Sequence, residues 1–247
     1  MKKIMLLLFV LLLSITLFGC KDPDKDPGTI LFNQYESYLE EDIVSPEFFD
    51  DFLNEASNRT IPGIVTIRKT LKNAFGLVVE TKEGTGFIYE IYDNSMRVLT
   101  AYELVTYESE EFTVSYEVFD YANRSYSALV LDRSEAYGLA RLKFDTIASI
   151  ARIRKLTISN YIPMDNEPLM MISDYQKTHD SMVMGLLLSK NEETDRYTTT
   201  FPVDAYSVGG VVVDMRNEIV GVTIRYYEEQ AIIIGLKSIR SYLNMYI

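Results

Sequence analysis

The 247-residue chain is 47% hydrophobic and 24% charged, a globular balance, and its 18 tyrosines and 12 phenylalanines supply a core large enough to rule out disorder throughout. Lysine and arginine total 24 against 36 acids, a formal charge of −12, and with no basic run in the sequence such a chain repels phosphate backbones, so no nucleic-acid partner is expected. One cysteine excludes an internal disulfide and any multi-cysteine zinc site, and one histidine removes most histidine-based metal sites; neither metal nor cofactor is expected.

In chain order, Lys2 and Lys3 precede an apolar run over residues 4–18 that is short for a membrane-spanning helix and suits the hydrophobic core of an export signal. The run ends in Leu17-Phe18-Gly19-Cys20, which resembles the bacterial lipobox, in which the cysteine is lipidated and becomes the new N-terminus. Residues 1–19 are therefore expected to be a signal peptide. Cys20 is expected to be the lipid anchor, holding the exported protein on the extracytoplasmic side of the membrane. Residues 20–29 are polar and proline-interrupted, and read as a flexible tether. The alternating Asp22, Asp24 and Asp26 suggest a calcium loop, but Pro27 and Asn33 occupy the places where that loop needs glycine and glutamate.

Residues 30–58 read as a helical segment, with Ser45-Pro46-Glu47 as a start signal ahead of apolar residues at helical spacing. From Pro62 onward, short runs rich in Val, Ile, Tyr and Thr alternate with polar turns. Strands are expected at 64–67, 75–79, 86–91, 96–100, 112–119, 126–131, 139–144, 169–173, 181–189, 197–203, 210–214, 219–225 and 231–235, with a closing helix at 237–244. This is an all-β pattern, a sandwich or a pair of barrels. The acidic stretches 108–111 and 192–195 read as solvated loops.

Five segments in order carry a resemblance: Gly84-Thr85-Gly86-Phe87-Ile88; Val98-Leu99-Thr100-Ala101-Tyr102-Glu103-Leu104-Val105; Gly138-Leu139-Ala140-Arg141-Leu142-Lys143; Gly209-Gly210-Val211-Val212-Val213-Asp214; and Glu218-Ile219-Val220-Gly221-Val222. Together they resemble the trypsin-like serine peptidases of the HtrA type over about residues 60–245, with residues 59–247 as the domain. The resemblance implies two packed six-stranded Greek-key β-barrels, with the short helical segment before them and a helix after. In active members a histidine, an aspartate and a serine occupy three of these segments. Here those places are held by Glu103, Gly138 and Val208, and the place of the oxyanion-hole glycine by Tyr206. Valine offers no nucleophile, so no acyl enzyme can form at position 208.

The expectation is accordingly a membrane-anchored pseudoprotease with no catalytic residues. It would bind an envelope protein or peptide in the inter-barrel cleft at Glu103, Tyr206, Ser207 and Val208, or serve as a structural part of the envelope. The alternative is an active serine-type endopeptidase in which Ser207 is a displaced nucleophile, with Glu103 as its base or with a partner completing the site. A free glutamate is a weak base for a serine hydroxyl. His179 lies in a polar stretch away from the catalytic segments and reads as an exposed loop residue.

Overall fold

The computed structural model describes residues 27–41, 43–107, 111–227 and 230–245. The expected signal peptide and Cys20 lie outside these residues, as do positions 108–110 of the first acidic stretch. Among the described residues no helix is long and apolar enough to cross a membrane.

Two helices, α1 (Pro27–Glu40) and α2 (Pro46–Glu55), open the chain, and α1 begins three residues before the expected helical segment. They are joined face to face by Tyr35 and Phe49, stacked with ring centroids 4.2 Å apart. Gln34 Oε1 accepts from the Met184 amide at 2.8 Å, so α1 is pinned to the second barrel. A π-helical turn (Ala56–Thr60) and a 3-10 turn (Ile61–Gly63) lead into the strands.

Twelve strands follow among the described residues. The first six are β1 (Ile64–Lys72), β2 (Val78–Tyr92), β3 (Ser95–Ala101), β4 (Thr113–Asp120), β5 (Ser125–Ser134) and β6 (Leu139–Asp145), with a short helix α3 (Tyr102–Val105) after β3 and another, α4 (Ala148–Ala151), after β6. The second six are β7 (Pro168–Ser173), β8 (Ser181–Asn191), β9 (Arg196–Thr199), β10 (Val211–Val213), β11 (Ile219–Tyr227) and β12 (Gln230–Gly235), and the chain closes with α5 (Leu236–Asn244). Each set forms a closed antiparallel barrel, in the orders β1-β2-β3-β6-β5-β4 and β10-β11-β12-β9-β8-β7. Counted from their own first strands, the two orders are the same circle: three strands in sequence, then the last three reversed. This is the double-barrel architecture of the trypsin-like fold. Closure leaves neither sheet with an open edge.

Two expected strands and one residue of an expected loop are placed differently in the structure. The apolar stretch 75–79 is not a separate strand: residues 73–77 form the β1–β2 turn, in which Asn73 Oδ1 accepts from the Phe75 and Leu77 amides at 3.0 Å each and Gly76 takes φ +77°. Strand β9 ends at Thr199, and Phe201 and Val203 bury their side chains from irregular chain instead. Within the second acidic stretch, Asp195 is structural, because its Oδ2 accepts from the Ser238 amide at 2.6 Å in the first turn of α5.

Each barrel has its own apolar filling, with Ile67, Val98 and Phe144 in the first and Leu169, Val183 and Ile233 in the second. A third cluster joins them. It packs Phe87, Leu99 and Leu139 of the first barrel with Met170, Val211 and Val222 of the second, and with Phe52 of α2 and Tyr242 of α5. The inter-barrel seam is therefore continuous core.

Candidate functional site

Glu103, Gly138 and Val208, the three positions that the resemblance assigns to a triad, converge at this seam. Strand β3 runs out at Ala101 into α3, which puts Glu103 in its first turn, and the Tyr102 amide donates to the Gly138 carbonyl at 2.8 Å. Gly138 closes the turn before β6 with φ +67°. On the second barrel, Val208 follows a short turn over Ala205–Ser207. It is buried against Ala101 and Leu104, and its carbonyl accepts from the Thr85 amide at 3.0 Å. The next residue, Gly209, takes φ +82°, and a Cβ there would lie 1.8 Å from the Thr85 carbonyl oxygen. Only glycine allows the two barrels to approach this closely.

Charge and burial define what these groups do. Glu103 is bound on both carboxylate oxygens, with Lys82 Nζ 2.6 Å from Oε1 and Arg225 Nε 3.7 Å from Oε2. Ser207 is fully buried. Its hydroxyl donates to Asp204 Oδ1 at 3.1 Å and accepts from the Asp204 amide at 3.1 Å, closing a capping box around the turn. The same carboxylate oxygen accepts from the amides of Tyr206 and Ser207 at 2.9 and 3.1 Å. Tyr206 is half-buried, with Lys177 Nζ 5.1 Å from its ring centroid. Ser207 and Glu103 thus each have their own partners, and no hydrogen bond joins them.

Next to Glu103 lies a cavity of about 600 Å³ in which Lys69, Lys82, Arg133 and Arg225 face Glu80, Glu103 and Glu135, with Tyr102, Tyr107 and Phe112 alongside. A smaller cavity of about 100 Å³ carries the same cleft past Gly138 to Ile224. Lys69 is 5% exposed; its Nζ donates to the Thr106 carbonyl at 2.9 Å and lies 3.6 Å from Glu80. Burial lowers the Lys69 pKa, and the nearby Glu80 works against that fall. The cleft is therefore a mixed-charge, aromatic-edged surface. Among the described residues no group of three or more His, Cys, Asp or Glu side chains is placed to hold a metal ion.

One constellation escapes the sequence reading. His179 is exposed on its loop, but its Nδ1 lies 2.9 Å from Thr66 Oγ1 on the first barrel and 3.4 Å from Asp174 Oδ1 on the second. Thr66 Oγ1 donates to Asp174 Oδ1 at 3.0 Å, so the imidazole Nδ1–H is the donor to threonine. The Asp174 amide donates to Thr85 Oγ1 at 3.0 Å, while its Oδ2 is buried without a hydrogen-bond partner. The Asp174 carboxylate beside the imidazole raises the His179 pKa against the opposing effect of burial. Asp180 is pushed up to about 7, first by burial and then by the Asp174 charge. A signal for this cluster was present: Asp174 directly follows β7, one residue after its apolar run, and an acid entering a barrel there requires a partner.

No protein-family model matches the chain, and no curated protein matches it in sequence.

Proposed function

We propose that this chain is an exported lipoprotein, anchored on the extracytoplasmic side of the membrane through Cys20, whose trypsin-like domain of the HtrA type has lost catalysis and binds a protein or peptide in the inter-barrel cleft. The observation that carries this reading is the state of Ser207, the hydroxyl next in sequence to position 208: it is fully buried, and both its donor and its acceptor capacity are used by Asp204. A serine becomes a nucleophile when an adjacent base is aimed at its proton and a substrate carbonyl can reach it. Asp204 is a carboxylate already accepting three backbone amides, those of Gln176, Tyr206 and Ser207, and Glu103 is held by Lys82 and Arg225. What remains at the cleft is recognition chemistry: paired charges that can exchange partners with a ligand, next to tyrosine and phenylalanine edges.

The test is fluorophosphonate labelling of the full chain in non-ionic detergent, with Ser207→Ala in parallel and mass spectrometry of the adduct and of the N-terminus. The expected result is no adduct at Ser207 and a diacylated Cys20 as the first residue. An adduct at Ser207 that disappears in Ser207→Ala overturns the non-catalytic reading, and an unmodified Cys20 overturns the anchor.

A further inference from the structure

A second large cavity, of about 580 Å³, shares no lining residue with the cleft at Glu103. It lies between the first barrel, the linker leaving α4 and the C-terminal helix α5, and it gathers Arg97, Arg141, Lys155 and Arg240 around one acid, Glu90. In a chain with 12 more acids than bases this is an inverted balance. Two of the cations are already paired: Arg141 with Asp132, and Arg97 with Glu90 at 2.9 Å. The other two have no carboxylate partner among the described residues. Lys155 is exposed in the linker, and Arg240 donates to neutral groups, the Ser159 carbonyl and Asn160 Oδ1. A neighbouring cavity continues the linker face through Lys155 and adds Arg154.

The strands are built to present this site. A bulge in β2 between Ile88 and Glu90 leaves Tyr89 as the extra residue against β3, the device by which a strand re-aims a side chain. A second bulge in β5 brings Asp132 opposite Arg141 and so holds that guanidinium in place. Tyr89 lines the cavity with its hydroxyl oxygen buried beside the Arg141 guanidinium, and no acceptor for its proton is present among the described residues. A buried phenol lacking an acceptor is costly and calls for one. The remaining lining is apolar: Leu156, Ile158 and Leu243.

We propose that this cavity binds a phosphate monoester with an apolar substituent, the phosphate lying among Lys155, Arg240 and Arg97, the carbon skeleton on Leu156, Ile158 and Leu243, and the Tyr89 hydroxyl donating to a ligand oxygen. A dianion suits the site better than a carboxylate, because two cations are uncompensated and a third shares an exposed pairing with Glu90. The proposal concerns a different part of the molecule from the cleft and stands whether or not the cleft is catalytic.

The experiment is calorimetric titration of the full chain in non-ionic detergent with phenyl phosphate, inorganic phosphate, benzoate and dihexanoyl phosphatidic acid. Phenyl phosphate is expected to bind once per chain and about 10-fold more tightly than benzoate or inorganic phosphate. Lys155→Gln is expected to weaken it about 5-fold and Tyr89→Phe about 3-fold, each with the melting temperature preserved, while Lys237→Gln, on the same helix as Arg240 but outside the cavity, leaves it unchanged. Binding of phosphatidic acid tighter than phenyl phosphate assigns a lipid headgroup as the source, and weaker binding assigns a soluble ester. Benzoate or inorganic phosphate binding as well as phenyl phosphate, or binding indifferent to Lys155→Gln, overturns the proposal.

Discussion

At the scale of single residues, the His179–Asp174–Asp180 group on the barrel seam makes a prediction whose sign can be worked out. The Asp180 pKa is raised from the ordinary 3.8 to about 7, so the folded protein binds this proton more tightly than the unfolded chain does. Its contribution therefore falls as pH rises from about 4 to about 7 and is constant above that range. The His179 pKa is also raised, so its contribution is complete below the ordinary histidine value and is lost as pH rises through the folded one. Both act in the same direction. Asp180 sits at φ +54°, a conformation asparagine tolerates, so Asp180→Asn keeps the backbone and imposes the neutral form. The variant is expected to melt like the parent near pH 4 and about 3 °C or more higher at pH 8, by calorimetric melting across that range. A difference that is constant with pH would show that Asp180 does not hold a proton in the fold.

At the scale of elements, the β1–β2 hairpin separates composition from structure. Phe75, Leu77, Val78 and Val79 read as a strand because apolar and β-branched residues fill strands, yet they are 88%, 64%, 57% and 50% exposed. What fixes this element is the polar Asn73, which binds two turn amides, together with Gly76. Phe75→Ser is therefore expected to change stability by less than about 0.5 kcal/mol, and Asn73→Ala to lower it by about 1 kcal/mol, read from urea denaturation midpoints. The reverse ranking would mean that the apolar tip packs onto something in solution. The same contrast explains what was legible in the sequence. Strands such as 96–100, 139–144 and 169–173 were readable as short apolar runs because both of their faces are buried, one in a barrel interior and the other in the seam. The convergence of Glu103, Gly138 and Val208 was readable only through the order of glycine-containing segments. The capping box of Asp204 and Ser207 is a three-residue spacing that local rules could have supplied. Thr66, Asp174 and His179 meet across barrels, and Arg97, Arg141, Lys155 and Arg240 gather from strands, linker and helix, so no sequence window holds either group. That is why a chain without a basic run still contains a basic cavity.

At the scale of the whole molecule, the question is whether two closed barrels behave as two folding units. Each barrel has its own filling, which favours independence. Three features oppose it. The largest core cluster draws on both barrels and on helices α2 and α5, so separating the barrels would expose Phe87, Leu99 and Leu139 together with Val211 and Val222. Helix α5 follows the second barrel but is tied to the first, because the Tyr242 hydroxyl donates to Asp132 on β5. At the seam itself, the Gly209 backbone lies against Thr85 with no room for a Cβ, and the Thr85 amide donates to Val208. These links join the two halves at the core, at the cleft and through a terminal helix, so neither barrel can open without disrupting the other. The full chain is expected to melt in one calorimetric transition with van't Hoff and calorimetric enthalpies equal. Phe52→Ala, which empties a 2% exposed site in the shared cluster, is expected to cost about 3–5 kcal/mol and to lower the melting temperature without splitting the transition. Two resolved transitions in the parent would show that the seam is a docked interface, and the cleft at Glu103 would then be free to open when a ligand binds.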